Sequence, residues 1–276
     1  IFPWKPLKIM ALGDFQFIGY NGITAVNLLK KQIKWGLDND CMFIGMGDYC
    51  DFASPSNRNR LKNADMYDTA ASVIDQGVTA IEDQLKEILA PTIGKWLTLV
   101  EGHHYYEHLD GTTTGQRFAN FLKAPYGGDA VMLRLTFRGS NGSGVVTKIF
   151  VHHGHGSSTT LGGAMAKLER FAGRISAQVF FIGHFHQIQM VWFDYLDVTD
   201  KGEPHLYHIP KAIVLTGSFM EGWQQGSKIG NRPSGLYPEK KLLPPVTLGS
   251  PFVVLTPKEH SKYRIKMVDI GGGKLW

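Results

Sequence analysis

The sequence predicts an α/β layered fold. Three observations carry that prediction: short apolar runs rich in branched residues recur along the chain, segments of helical period lie between them, and the runs end in glycine plus a polar residue. With 276 residues and 43% hydrophobic content the chain can bury a sizeable core, which excludes disorder as its main state. No internal repeat, low-complexity tract or long linker divides it, so one domain over 1–276 is expected.

Residues 7–12 (LKIMAL) read as a strand stopping at Gly13-Asp14, and a helix is expected over 24–37. Residues 42–46 read as a second strand stopping at Gly47-Asp48. The polar stretch 54–63 is expected to be a loop. Over 65–89, Val73, Ile74, Val78, Ile81, Leu85 and Ile88 recur at three- and four-residue spacing, predicting a helix that stops before Pro91. A third strand, 96–100, leads into Glu101-Gly102-His103-His104.

The second half begins with apolar segments at 131–137 and 145–151 flanking Ser140-Asn141-Gly142-Ser143-Gly144, strong hairpin chemistry. The second of these strands ends at His152-His153. A glycine-rich stretch from Gly156 to Gly163 has no GK[ST] and reads as a connector capping a helix over 164–171, not as a phosphate-cradling loop. The strand 179–182 ends at Gly183-His184, and 188–193, 213–216 and 252–255 complete the expected strands.

The net charge of +5 is spread among acids without a long block of one sign, compatible with a phosphate-bearing substrate. Cys41 and Cys50 form no CxxC pair, and no apolar stretch reaches the roughly 18 residues of a membrane span. A cytoplasmic protein without a membrane partner is the simpler expectation.

Five strand ends carry a metal-capable side chain: GDFQ at 13–16, GDYCD at 47–51, GHH at 102–104, HHGH at 152–155 and GHFH at 183–186. Ligands of open α/β sheets bind at the carboxyl ends of strands, so these loops are expected to converge on one edge. Eight of the eleven histidines fall within 103–108, 152–155 and 184–186. A mixed carboxylate and imidazole cluster suits Zn, Mn or Fe.

The order and spacing of these motifs from Asp14 to His186 resemble the calcineurin-like metallophosphoesterases, whose pattern is D-x-H, GD-x-x-D, GNH, a His-Gly and GH-x-H. The resemblance implies a four-layer α-β-β-α sandwich of two mixed sheets. It implies two divalent ions: Asp14 and His186 on the first, Asp48 bridging, and His153 and His184 on the second. A shared carboxylate offsets the repulsion between two dications about 3.5 to 4 Å apart. His104, aligned with the GNH histidine, becomes the group that donates a proton to the leaving oxygen. The implied reaction is hydrolysis of a phosphate ester by metal-activated hydroxide. Its substrates span nucleic acids, nucleotides and phosphoproteins, and the basic balance with nearby aromatics favours a phosphodiester of a nucleotide or nucleic acid. The alternatives are a phosphomonoesterase of the same fold and a non-catalytic binding module.

Two departures alter the details. D-x-H has become Asp14-Phe15-Gln16, leaving the first ion a weak carbonyl ligand, and GNH has become Gly102-His103-His104, placing an imidazole on the second. Unequal occupancy is expected, with Gln16 in the weaker set and His103 in the stronger. Around this centre, His155 reads as a bystander or as a partner of a ligand, Asp51 orients a ligand, helps bind substrate or caps a helix or loop, and His108 is expected in a solvated loop. The run Asn57-Arg58-Asn59-Arg60 reads first as solvated and second as a phosphate contact. Tyr105 and Tyr106 either stack on a base or pack locally. Residues 219–249, long and without period, are expected to fold over the metal edge as a substrate-access loop.

Overall fold

The structure, a computed structural model, describes residues 1–20, 22–62, 64, 66–140, 142–156, 160–199, 203–229, 232–260 and 265–275. Asn141 of the expected turn, residues 157–159 of the glycine-rich stretch, and Asn63 and Asp65 at expected element ends lie outside this set. In chain order the elements are Phe2–Pro3 (β1), Leu7–Leu12 (β2), helix Val26–Asp38 (α1), Met42–Gly45 (β3), helices Pro55–Lys62 (α2) and Asp68–Leu89 (α3), and Trp96–Leu99 (β4). Helix Thr114–Leu122 (α4), Ala130–Arg138 (β5), Gly144–His152 (β6), helix Leu161–Ala172 (α5), Val179–Ile182 (β7), Ile188–Val198 (β8) and Leu206–Thr216 (β9) follow. The chain ends with Lys228–Ile229 (β10), Arg232–Pro233 (β11), the short helix Tyr237–Lys240 (α6), Pro251–His260 (β12) and Ile265–Lys274 (β13).

Two mixed sheets result, in the orders β13-β12-β2-β3-β4 and β1-β5-β6-β7-β9-β8. Within them β2, β3 and β4 run parallel, as do β6, β7 and β9. Side chains alternate across a strand, and β2 shows the consequence. Ile9 and Ala11 face the second sheet, meeting Val151, Phe181 and Val214, whereas Met10 and Leu12 face α1, α3 and α4 with Leu29, Leu85 and Phe118. On the far side of the second sheet, Phe180 and Ile213 pack against Ala164, Met165 and Ala172 of α5. The layers therefore stack helix, sheet, sheet, helix, and the fold is α/β as expected. No helix among the described residues is long and apolar enough to cross a membrane.

Several elements depart from expectation. Residues 55–62 are helical, not a loop; PSNRNRLK has no apolar stripe, so nothing periodic announced it. Within α3, Val73 is 69% exposed, so only the later apolar positions reach the core. Helix α4 and strand β13 were not expected, and β8 and β9 are longer than expected, pairing antiparallel from Ile188↔Thr216 to Val198↔Leu206.

Candidate metal-binding site

The strand ends of both sheets meet at one edge. Beyond β2 and β3 the two chains stay in register, with Asp14 N–H donating to Gly47 O (2.9 Å) and Gln16 N–H to Asp48 O (3.1 Å). This holds the Asp14 and Asp48 carboxyls side by side, both buried. Five residues at this edge adopt left-handed backbone: Asp14, Gln16, Asp48, His184 and His186, with φ between +47° and +69°. Each such non-glycine residue costs about 1–2 kcal/mol, and strain gathered in one place marks a functional constraint.

Asp48 is held on both oxygens. Its Oδ1 accepts from the backbone N–H of His103 (2.5 Å) and His104 (2.9 Å). Its Oδ2 accepts from Gln16 Nε2 (3.0 Å) and lies 3.3 Å from His153 Nε2. Asp14 Oδ2 accepts from His184 N–H (3.0 Å), and Oδ1 lies 3.3 Å from His186 Nε2.

The imidazoles are oriented by backbone carbonyls. His153 Nδ1 lies 2.7 Å from Met46 O, so Nδ1 carries a proton and Nε2 is the ring atom turned inward. His184 Nε2 lies 2.7 Å from Gly156 O, which leaves Nδ1 facing His103 Nδ1 at 3.3 Å. Two groups of ligand atoms, from His103, His153 and His184 and from Asp14, Asp48 and His153, each lie within 4.8 Å of one another. Three buried atoms in this cluster, Asp14 Oδ1, Gln16 Oε1 and His153 Nε2, have no hydrogen-bond partner among the described residues. Buried polar atoms are rarely left so, and lone pairs converging from carboxylate, amide and imidazole fit a cation.

The electrostatics agree. Burial opposes the charge on Asp48, yet the charges of His153 and His104 outweigh it and hold the carboxyl well below the usual range. Burial likewise opposes protonation of His153, but Asp48 and Asp14 raise it to about 9. The two carboxylates thus draw positive charge between them. Burial, with His153 and His184 alongside, lowers His103 to about 4, keeping its imidazole neutral.

No protein-family model matches the sequence, and a search of curated proteins finds no relative. Solved structures do resemble the chain. Vps29 complexed with Zn2+ from Entamoeba histolytica is 10% identical, with a TM-score of 0.36 over 96% of this chain and 99% of that one. The calcineurin-like phosphoesterase YfkN from Bacillus subtilis is 11% identical, with a TM-score of 0.44 over 98% and 90%. GAP50, the anchor in the inner membrane complex of Plasmodium, is 12% identical, with a TM-score of 0.43 over 99% and 90%.

The remaining expected residues fall at several distances from the cluster. His104 Nδ1 pairs with Asp51 Oδ1 (2.7 Å), so Asp51 orients an imidazole; burial lowers the His104 pKa, but Asp51 and Asp48 raise it above the usual value. His155 is exposed with its ring 5.5 Å from that of His103. His108 is not solvated: it is buried, its ring nitrogens 3.0 Å from Asp75 Oδ1 and 2.9 Å from Glu82 Oε1. Tyr106 packs against Phe52 and His108, and Tyr105 lies under the Arg58 guanidinium, so both rings are engaged by protein. Arg58 itself is half-buried and bonded to carbonyls, in place of the solvated position expected.

Sequence reasoning gave no role to Met46 and Gly156, which act through backbone carbonyls that carry no side-chain signal. It marked Ser218 only as the start of a loop, yet Ser218 Oγ donates to Asp14 O (2.9 Å).

Proposed function

We propose that this chain is a metal-dependent phosphoesterase of the calcineurin-like type. The observation that carries the proposal is the meeting of two ligand groups at His153, one with His103 and His184 and one with Asp14 and Asp48, beside buried atoms of Asp14, Gln16 and His153 that have no hydrogen-bond partner among the described residues. Asp14, Gln16 and His186 would hold one divalent ion, His103, His153 and His184 the other, and Asp48 would be shared. When bound, such ions supply an activated water and neutralise charge on the phosphoryl oxygens. Zn, Mn and Fe suit the donors.

The chain's own residues do the rest. Backbone N–H groups of His103 and His104 fix Asp48, so its position does not depend on a ligand. Asp51 fixes His104 through Nδ1 and leaves Nε2 as the atom that gives a proton to the leaving oxygen. The net charge of +5 suits a phosphate ester without choosing between diester and monoester, and Tyr105 and Tyr106, engaged by protein, lend no support to base stacking.

Residues 219–249 would shape access. The segment leaves and returns at the metal edge: Phe219 N–H donates to Asp14 O (3.0 Å), and Gly249 N–H donates to Ser218 O (2.8 Å). Replacing 224–242 by a short linker should change the relative turnover of large and small esters; unchanged turnover of every ester refutes this role.

One observation favours a second reading, a non-catalytic module of the same fold. Gln16 turns its Nε2 toward Asp48, so the weaker ion must draw on the amide oxygen alone. Metal analysis of protein purified without chelator, then assay with bis-p-nitrophenyl phosphate and p-nitrophenyl phosphate plus Mn, separates the two. Bound metal with turnover is expected; bound metal without turnover of either ester selects the module. His104→Ala should keep the metal and lower kcat by about 10²–10⁴, and Asp48→Ala should lose metal and turnover together.

A further inference from the structure

Helix α2 has no apolar face, yet it is fastened to the site loop by one side chain. Arg58 Nη1 donates to three carbonyls: Ala53 O at 2.8 Å, His103 O at 2.5 Å and Tyr105 O at 3.2 Å. Its guanidinium carbon sits 3.7 Å from the centre of the Tyr105 ring, a stacking that a planar cation supports and an ammonium does not. Arg60, one helical step on, is exposed.

The peptide group joining His103 to His104 gives these contacts their meaning. In a trans peptide the N–H and C=O point in opposite directions. The N–H of this group, from His104, donates to Asp48 Oδ1 at 2.9 Å, and its C=O, from His103, accepts from Arg58 at 2.5 Å. The plane is therefore gripped at both ends, by a carboxylate on the metal side and a guanidinium on the helix side. Each gripped residue carries one proposed function: His103 the ligand, His104 the proton donor. Rotation of this plane would move both imidazoles at once.

We infer that Arg58 is a positioning residue that sets the His103-His104 peptide and so couples metal affinity to proton donation. The inference rests on the phosphoesterase reading above for its catalytic half and on metal ligation alone for the other half. It replaces the idea that Arg58 meets a substrate phosphate, because Nη1 is taken up by carbonyls and the guanidinium is stacked on Tyr105.

The test compares wild type, Arg58→Ala, Arg58→Lys and Arg60→Ala for zinc affinity, by competition with a chromophoric chelator, and for kcat and KM on bis-p-nitrophenyl phosphate. Arg58→Ala should bind the tighter zinc about tenfold or more weakly, as loss of a group that orients a ligand does. It should also lower kcat with little change in KM, and millimolar guanidinium should recover part of both. Arg60→Ala should match wild type. Arg58→Lys keeps charge and a donor, so it should fold and lie between; this keeps the comparison open if the alanine variant does not fold. Wild-type zinc affinity in Arg58→Ala overturns the inference, as does a rise in KM alone shared with Arg60→Ala, the mark of phosphate contact. A wild-type chain that binds zinc but turns over no ester overturns the catalytic reading and leaves the zinc comparison to judge Arg58.

Discussion

Gly102 shows how closely the site is assembled around single atoms. A Cβ built on it would lie 2.1 Å from both the backbone nitrogen and Oδ1 of Asp48. Neither atom can give way: Oδ1 takes the His103 and His104 N–H groups, and the nitrogen belongs to a backbone already in the left-handed region. Gly102→Ala should therefore displace Asp48, removing the shared ligand while every ligand side chain is still encoded. We expect loss of at least one bound ion by elemental analysis and destabilisation of roughly 1–3 kcal/mol in urea unfolding, the usual effect of overpacking. Full metal content in a folded Gly102→Ala protein would show that Asp48 is not placed as described. The candidate ligands stood out in the sequence because carboxylates and imidazoles at strand ends are chemically sharp signals, and the structure brings them to one edge. Their orientation did not stand out: the tautomers of His153 and His184 are set by Met46 O and Gly156 O, and every residue has a carbonyl.

At the scale of elements, legibility followed periodicity. Strands β2, β3 and β7 are buried on both faces and read directly as apolar runs. Helix α4 was missed although Thr113 and Gln116 form a reciprocal capping box, because its nine residues give too few turns for a period to show. Helix α2 is held by Arg58 on distant carbonyls, information no local window contains. Two predictions belong here. Lys123 caps α4 in the left-handed region at φ +56° with its side chain exposed, so Lys123→Gly should stabilise the protein by about 1 kcal/mol in urea unfolding; no gain would mean that the cap is not rate of strain but of contact. His108 ties the loop after the site to α3 through Asp75 and Glu82, all three side chains largely buried. Among the described residues, His108→Leu would leave Glu82 with only Arg117, 3.9 Å from its other oxygen. Removing one partner of such a buried cluster should destabilise by about 3–5 kcal/mol, and a change under 1 kcal/mol would show that the carboxylates are solvated after all.

For the whole molecule, both sheets bring candidate ligands to a shared edge, Asp14 and Asp48 from one and His153, His184 and His186 from the other. Ions that bridge the sheets stabilise only the folded chain, so stability should rise with free metal as RT ln(1 + [M]/Kd), about 2.7 kcal/mol per ion at a hundredfold excess over Kd. At about 2–4 °C per kcal/mol for a chain of this size, each ion should raise Tm by roughly 5–10 °C. On the proposed assignment the donor sets are unequal: three imidazoles would serve one ion, whereas a buried amide oxygen and one imidazole would join Asp14 on the other. A zinc titration followed by differential scanning calorimetry should therefore show two steps of Tm, the second at higher metal concentration. Gln16→His tests which residue sets that second step. Its backbone is already left-handed at φ +50°, a region where histidine is enriched several-fold over most residues, so the exchange adds little strain. The imidazole should move the second step to lower zinc and leave the first in place. A single step in the wild type, or a second step unmoved in Gln16→His, would show that Gln16 does not face an ion and that the strained loop at 14–16 serves the fold alone.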